Sequence, residues 1–288
     1  PRLDLAPARA AAASAPPDAV LADVVAGPPA LLARAGELGI ERARDLTALD
    51  HRTVVLASDG FRRLPALIDS ARAAVARGPL RTRDADHSVP RGTVEVDVDM
   101  ENVDDGVYLW GVLTRSPDGT VSVPRPGYHP FVSWSALGPD TEAALVTDLW
   151  AHLAECRRVA AAAGGVLRIY CYSDAEARQL RRIVAAAPPH AGAPSRREVE
   201  ALIASEEWVD LYDLVRQVCV APDGYSLKRT ARWSGFDWRD DDAGGAQSME
   251  WHLAATGAGW RERRRLRRRL LEYNEDDVRA TLALREWL

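Results

Sequence analysis

Cysteine is scarce in this chain: Cys156, Cys171 and Cys219 are odd in number and widely spaced. That excludes a disulfide framework and a cysteine metal cluster and fits a reducing compartment, so a cytoplasmic location is expected. Long apolar runs are lacking too. Asp4, Arg9, Asp18 and Asp23 interrupt the Ala-rich start, leaving no continuous core for secretion or for spanning a membrane. Net charge is small, −5 over 288 residues, which excludes a global attraction to nucleic acid and confines any such binding to a local basic patch. Metal-ligand spacing is absent among His129, His152, His190 and His252, which read as structural or exposed. What is present is apolar content: at 47% hydrophobic, the chain can bury a sizeable core as one large or two modest domains. The first residue is Pro1, so the chain is expected to be processed or excised from something longer.

The most informative stretch is Glu95-Val-Asp-Val-Asp-Met-Glu101. Carboxylate and apolar residues alternate strictly, the period of a β-strand, so four acids share one face. Neighbours on that face stand roughly 7 Å apart and repel, which calls for something cationic over them. Hard divalent metals with oxygen ligands are the natural candidates. A solvated face on an edge strand is the plainer alternative. Asp97 shares the face of Asp99 but lies deeper in the strand, where a helix N-terminus or a hydrogen-bonded amide could satisfy it.

Two regions follow from composition, divided near the turn-rich segment Arg81-Thr-Arg-Asp-Ala-Asp-His-Ser-Val-Pro90. Residues 1–90 form a small helical N-terminal region with a loose tail over 1–17 and helices over 18–34, 41–49 and 60–77. Within it, residues 31–50 place Gly36 and Gly39 between two short helices. That weakly resembles a helix-hairpin-helix, and a helix–loop–helix packing unit without a ligand is the favoured reading. In residues 91–288 the spacing predicts strands over 93–100, 107–114 and 120–124 as an antiparallel meander. A helix over 141–163 with Asp140 as N-cap comes next, ended by Gly164-Gly165. A buried strand over 166–172 and a helix over 174–187 follow. Further helices are expected over 199–219, 226–233 and from 260 to the end. Three antiparallel strands, a helix, and a strand that returns parallel to the first give an α/β fold with a mixed sheet flanked by helices, in the order of an RNase H-like domain.

On that order the acids converge. Asp99 and Glu101 sit at the end of the first strand, and the strand over 166–172 delivers Asp174 or Glu176 to the same edge. The terminal helix offers Tyr273-Asn-Glu-Asp-Asp277, with Tyr273 and Asp277 one turn apart on one face. Together these residues resemble the DnaQ-related exonucleases of the RNase H-like superfamily, which carry Asp-x-Glu on the first strand, a middle acid, and Tyr-x-x-x-Asp on the last helix. More closely, Asp97-Val-Asp-Met-Glu-Asn102, Tyr108-Leu-Trp-Gly111, Tyr170-Cys-Tyr-Ser-Asp-Ala-Glu176, Trp208-Val-Asp-Leu-Tyr212, Tyr225-Ser-Leu-Lys228 and Tyr273-Asn-Glu-Asp-Asp-Val278 resemble the C-terminal region of bacterial RecB-like nucleases. Those proteins also carry an upstream nuclease module with clustered cysteines, which nothing here matches and which a longer chain would supply.

The resemblance implies Asp99, Glu101, Glu176 and Asp277 as metal ligands, with Asp174 competing for the place of Glu176 because Ala175 stands where the nearer relatives have an aromatic. It implies two Mg²⁺ or Mn²⁺ ions about 4 Å apart and 3′→5′ hydrolysis of DNA or RNA. Tyr273 would orient the attacking water through its hydroxyl, since a phenol of ordinary pKa, roughly 10, is a poor base. For the polyanion, Arg261-Glu-Arg-Arg-Arg-Leu-Arg-Arg-Arg269 supplies Arg264, Arg265 and Arg268, and Lys228 is a further phosphate candidate. A solvated helix face is the plain alternative for this run. The tryptophans around Asp237-Trp-Arg-Asp-Asp-Asp242 suit base stacking or core packing.

Other classes remain as alternatives. A nucleic-acid-binding or scaffolding domain with a decayed site would bind without turnover. Reading Asp97-Val-Asp99 as the Asp-x-Asp of a metal-dependent glycosyltransferase requires a strand-rich region upstream, where helices are expected. A calcium loop would need Gly where Asn102 stands.

Overall fold

The structure is a computed structural model. It describes residues 88–288 apart from 105, 222–223, 241–244 and 258, together with the isolated residues 20, 36, 41, 42, 45, 80 and 81. The helices expected over 18–34, 41–49 and 60–77, and the helix-hairpin-helix over 31–50, lie outside the described residues. The chain forms two compact units: Pro1–His87 with Leu214–Trp233, and Ser88–Asp213 with Ser234–Leu288. In the first, the short strand Leu80–Arg81 pairs antiparallel with Cys219–Val220. The second unit carries the acids of the alternating stretch.

That unit is built on a five-stranded sheet. Its elements run β1 (Val94–Val103), β2 (Gly106–Arg115), β3 (Gly127–Val132), α1 (Pro139–Ala162), β4 (Leu167–Cys171), α2 (Ala175–Ala186), α3 (Arg196–Ile203), β5 (Trp208–Asp210), α4 (Gly245–Gly257) and α5 (Trp260–Trp287). The sheet order is β3-β2-β1-β4-β5. The β1–β2 and β2–β3 pairs are antiparallel, whereas β1–β4 and β4–β5 are parallel. This is the mixed sheet flanked by helices that the strand order predicted.

Three boundaries depart from expectation, each for a local reason. The third strand is β3, not residues 120–124, where Pro124 removes a ladder donor. β3 itself contains Pro130, tolerated because β3 is an edge strand. The helix expected over 199–219 is broken: α3 ends at Ile203, and Trp208–Asp210 becomes the fifth strand before the next helix begins at Leu211. α1 starts two residues early, with Gly138 at the N-cap, Pro139 at the first helical position and Asp140 in the first turn rather than capping. Its end is as the sequence suggested: Gly164 takes φ of +71°, a left-handed conformation that stops the helix at little cost for glycine.

Alternation on β1 sorts the two faces of the sheet. Val94, Val96 and Val98 join Trp110, Val112, Leu167 and Ile169 against α1 and α2 in the larger core. The opposite face carries the acids and is covered by α4 and α5, where Tyr108, Leu109, Trp251, Leu266, Leu270 and Tyr273 pack together. The four acids do not share one cationic partner. Glu95 and Asp97 are buried against Arg285 of α5, whose Nε and Nη1 lie 2.6 Å from Asp97 and 2.8 Å from Glu95. Arg91 and Arg115 also reach Glu95. Asp97 is thus satisfied by a guanidinium, not by a helix terminus or an amide. Only Asp99 and Glu101 are left for a metal.

Candidate metal centre

Asp99 lies opposite Gly111 in the β1–β2 ladder, and Glu101 opposite Leu109 just before a β-bulge. Along α5, Tyr273, Asp277, Thr281 and Arg285 are all buried and follow one another at four-residue intervals. This ladder faces β1 antiparallel, bringing Asp277 onto the Asp99–Glu101 pair while Arg285 meets Asp97 and Glu95. One carboxylate oxygen each from Asp99, Glu101 and Asp277 lies within 4.8 Å of the other two.

Each of the three carboxylates is held by a neutral donor. Asn274 Nδ2 donates to Asp99 Oδ2 at 2.7 Å, Ser248 Oγ to Glu101 Oε2 at 2.9 Å, and Trp238 Nε1 to Asp277 Oδ1 at 2.6 Å. Neutral donors orient these oxygens without cancelling their charge. Asn274 is fixed in turn: Tyr128 donates its hydroxyl proton to Asn274 Oδ1 at 2.9 Å. A side chain at Gly111 would place its Cβ 1.7 Å from that oxygen, so only glycine lets α5 approach β2 this closely.

Glu176 arrives on the first turn of α2, after a turn whose Ser173 has φ of +89°. Such a conformation is strained for a residue other than glycine and persists when its surroundings hold it. Asp210, at the end of β5, does so by accepting from the amides of Ser173 (3.0 Å) and Tyr212 (2.8 Å). Glu176 is 3% exposed, and among the described residues its Oε2 has no hydrogen-bond partner. Asp174 is solvent-exposed and pairs with Arg178 at 3.1 Å.

Electrostatics tie the group together. Burial, then the charges of Asp277, Glu101 and Glu176 in that order, push the Asp99 carboxyl well above the usual range. Burial, with Asp210 and Asp174 adding, pushes Glu176 up to about 8. Tyr273 hydrogen-bonds Asp277, and burial plus the carboxylates around it raise its pKa, so the phenol keeps its proton. The donor set fits a hard divalent cation. Asp99, Glu101 and Asp277 offer only oxygen and are close enough to share an ion, while Glu176, outside that group of three, has a buried carboxylate oxygen that nothing else in the described residues satisfies.

The basic residues distribute unevenly. Arg265 and Arg268 are exposed on α5 and line a groove whose walls also include Tyr273 and Asp276. Arg264 is exposed on the same helix outside that lining. Lys228 belongs to the first compact unit. The aromatic cluster is mainly structural: Trp238 is buried on Asp277, and Trp251 packs edge-on to Tyr273.

Sequence reasoning missed the supporting residues Gly111, Tyr128, Asp210, Trp238, Ser248, Asn274 and Arg285. Asn274 sits within the Tyr-x-x-x-Asp spacing, Arg285 continues it by two four-residue steps, and Asp210 stands in a quoted motif without a role. Trp238 and Ser248 carry no local signal, since their contacts are set by where α4 and the preceding segment settle.

A mixed sheet in this order, with carboxylates from β1 and α5 clustered and Glu176 of α2 near enough to act on Asp99, defines the RNase H-like class of α/β domains. A family profile described as the RNase H superfamily matches residues 100–288, well over half of the chain, and the chain belongs to that superfamily. No curated protein and no solved structure matches it. Among the described residues no helix is long and apolar enough to cross a membrane.

Proposed function

We propose that this chain is a metal-dependent 3′→5′ exonuclease of the DnaQ-related type, hydrolysing phosphodiester bonds of DNA or RNA. Membership of a superfamily with a nuclease-type fold supports the reaction class. The observation that carries the reading is the carboxylate cluster of Asp99, Glu101 and Asp277, with Glu176 adding to the field at Asp99. Four acids of this kind are the donor set for two Mg²⁺ or Mn²⁺ ions, which when bound neutralise the cluster, acidify water and stabilise the leaving 3′ oxygen.

The chain's own residues then have distinct tasks. Asp99, Glu101, Glu176 and Asp277 are the ligands, with Asn274, Ser248 and Trp238 holding one oxygen each of Asp99, Glu101 and Asp277 so that the remaining oxygens are aimed. Tyr273 is a hydrogen-bonding group: its raised pKa rules out a phenolate at neutral pH, and its hydroxyl beside Asp277 suits orienting the nucleophilic water. Arg264, Arg265 and Arg268 contact the phosphate backbone.

The test is incubation with end-labelled single-stranded DNA and RNA in Mn²⁺, Mg²⁺ or chelator, beside an Asp99→Asn/Asp277→Asn variant. Stepwise shortening that needs the metal and vanishes in the variant is expected. Binding without shortening of either polymer would instead favour a domain that holds nucleic acid and no longer cuts it.

A further inference from the structure

Asp276 and Asp277 are neighbours in the chain and both are buried, yet only Asp277 belongs to the carboxylate cluster. Consecutive helical residues point about 100° apart, so α5 presents the two acids in different directions. Consecutive residues of one short segment meet them. Residues 235–240 lie in neither helix nor strand, and within them Trp238 donates to Asp277 while Arg239 donates to Asp276. The two partners differ in kind. Arg239 takes both oxygens of Asp276, its backbone N–H donating to Oδ2 at 2.9 Å and its Nε to Oδ1 at 2.8 Å, and so offsets that charge. Trp238 is a neutral donor to one oxygen of Asp277 and leaves that charge for a cation. Arg239 has further anchors on α5: its Nη2 donates to the carbonyl of Glu272 at 2.7 Å and to Glu275 Oε2 at 3.0 Å.

We propose that Arg239 is a positioning residue of the metal centre: by clamping its segment to α5 through Asp276, Glu275 and the Glu272 carbonyl, it sets where Trp238 meets Asp277 and so tunes the centre's affinity for a divalent cation. The inference rests on the metal-centre reading and adds a residue outside the ligand set. A side chain on an irregular segment is placed less firmly than one on a helix or strand, so the aim of Trp238 depends on what holds the residues beside it. Phe236 supports the indole edge-on at 5.0 Å between ring centroids, and Arg239 fixes the next residue along the chain. Charge alone predicts the opposite effect. A guanidinium near the centre repels a second cation, so deleting it would tighten metal binding, and freeing Asp276 and Glu275 would add acids to the neighbourhood. Loss of positioning weakens metal binding instead. The sign of the change therefore separates the two accounts.

The test is Mn²⁺ titration calorimetry on the full chain, with thermal melts in chelator to show that each variant folds. Arg239→Met is compared with Arg279→Met. Arg279 also pairs with Glu275, at 2.8 Å, and its side chain is 47% exposed against 49% for Arg239, but among the described residues it makes no hydrogen bond to residues 235–240. Trp238→Phe keeps a ring, loses the donor, and is expected to weaken Mn²⁺ binding about 10- to 100-fold, the usual reach of a group that orients a ligand. Acting through that indole, Arg239→Met is expected to weaken it at least about fivefold but no more than Trp238→Phe, while Arg279→Met changes it less than about twofold. Adding Arg239→Met to Trp238→Phe is expected to weaken it less than about twofold further, because the two act in series. Arg239→Lys keeps the charge without the fork and is expected to lose at least about threefold, which carries the comparison if Arg239→Met does not fold. Tighter or unchanged Mn²⁺ binding in the folded Arg239 variant, or losses that multiply in the double variant, would overturn the positioning role. The metal-centre reading fails separately. No Mn²⁺ binding by the parent, or binding undiminished in Asp99→Asn/Asp277→Asn, removes the centre and this inference with it. Binding that needs those acids and ignores Arg239 removes the inference alone.

Discussion

At Gly111 the absence of a side chain sets the distance between α5 and the sheet, and through Asn274 the aim of Asp99. An ionised Asp99 only accepts hydrogen bonds, so the carboxamide of Asn274 must turn its NH₂ toward it, and the Tyr128 hydroxyl then fills the oxygen side. Gly111→Ala puts a methyl where Asn274 Oδ1 sits and is expected to cost about 1–3 kcal/mol by overpacking. Asn274→Ala leaves the packing room but removes the donor. It is expected to weaken Mn²⁺ binding about 10- to 100-fold, the usual reach of a group that orients a ligand. Denaturant unfolding checks the first and titration calorimetry the second, and Mn²⁺ affinity unchanged within about twofold in Asn274→Ala would mean that Asn274 only fills space.

At the level of elements, the decisive match is between two repeats. Residues four apart on α5 advance about 6 Å, and residues two apart on β1 advance about 6.7 Å. Tyr273, Asp277, Thr281 and Arg285 can therefore run alongside Glu101, Asp99, Asp97 and Glu95 for the length of the contact. Register along that seam is fixed at one end by charge. Arg285 lies between Glu95 and Asp97 and stacks 4.0 Å over the ring of Tyr170, whose hydroxyl reaches Glu95. Arg285→Met leaves two buried carboxylates short of their main partner and is expected to cost about 3–5 kcal/mol in denaturant unfolding. Adding Glu95→Gln and Asp97→Asn to that variant is expected to recover much of the loss. A loss below about 1 kcal/mol for Arg285→Met alone would show that the seam holds without the ion pair.

For the molecule as a whole, the carboxylate cluster is a destabilising charge that a cation relieves. Glu176, at about 8 against an ordinary 4.5, holds a proton in the folded chain over a range where the unfolded chain has released it, and Asp99 is shifted the same way. The folded state then binds more protons, so without metal its stability falls as pH rises from about 4.5 toward 8 and levels beyond. Protons and cation compete for the same oxygens, so Mn²⁺ is expected to raise Tm more at pH 8 than at pH 5.5. In chelator at pH 8, Asp99→Asn/Asp277→Asn is expected to melt above the parent, by about 2–4 °C for each kcal/mol relieved. Thermal melts at the two pH values check this, and an equal Mn²⁺ effect in parent and variant would place the ion elsewhere. The sequence by itself determined which strand carries the acids, that Tyr273 and Asp277 share a helix face, and the mixed order of strands, because alternation and helical spacing are local properties of the chain. Only the tertiary structure decided that Glu95 and Asp97 belong to Arg285. It also decided that Trp208–Asp210 is a strand and that Trp238 and Ser248 hold the carboxylates. Those outcomes depend on which distant element packs over each face, and the nearest-neighbour pattern of a sequence holds no record of that.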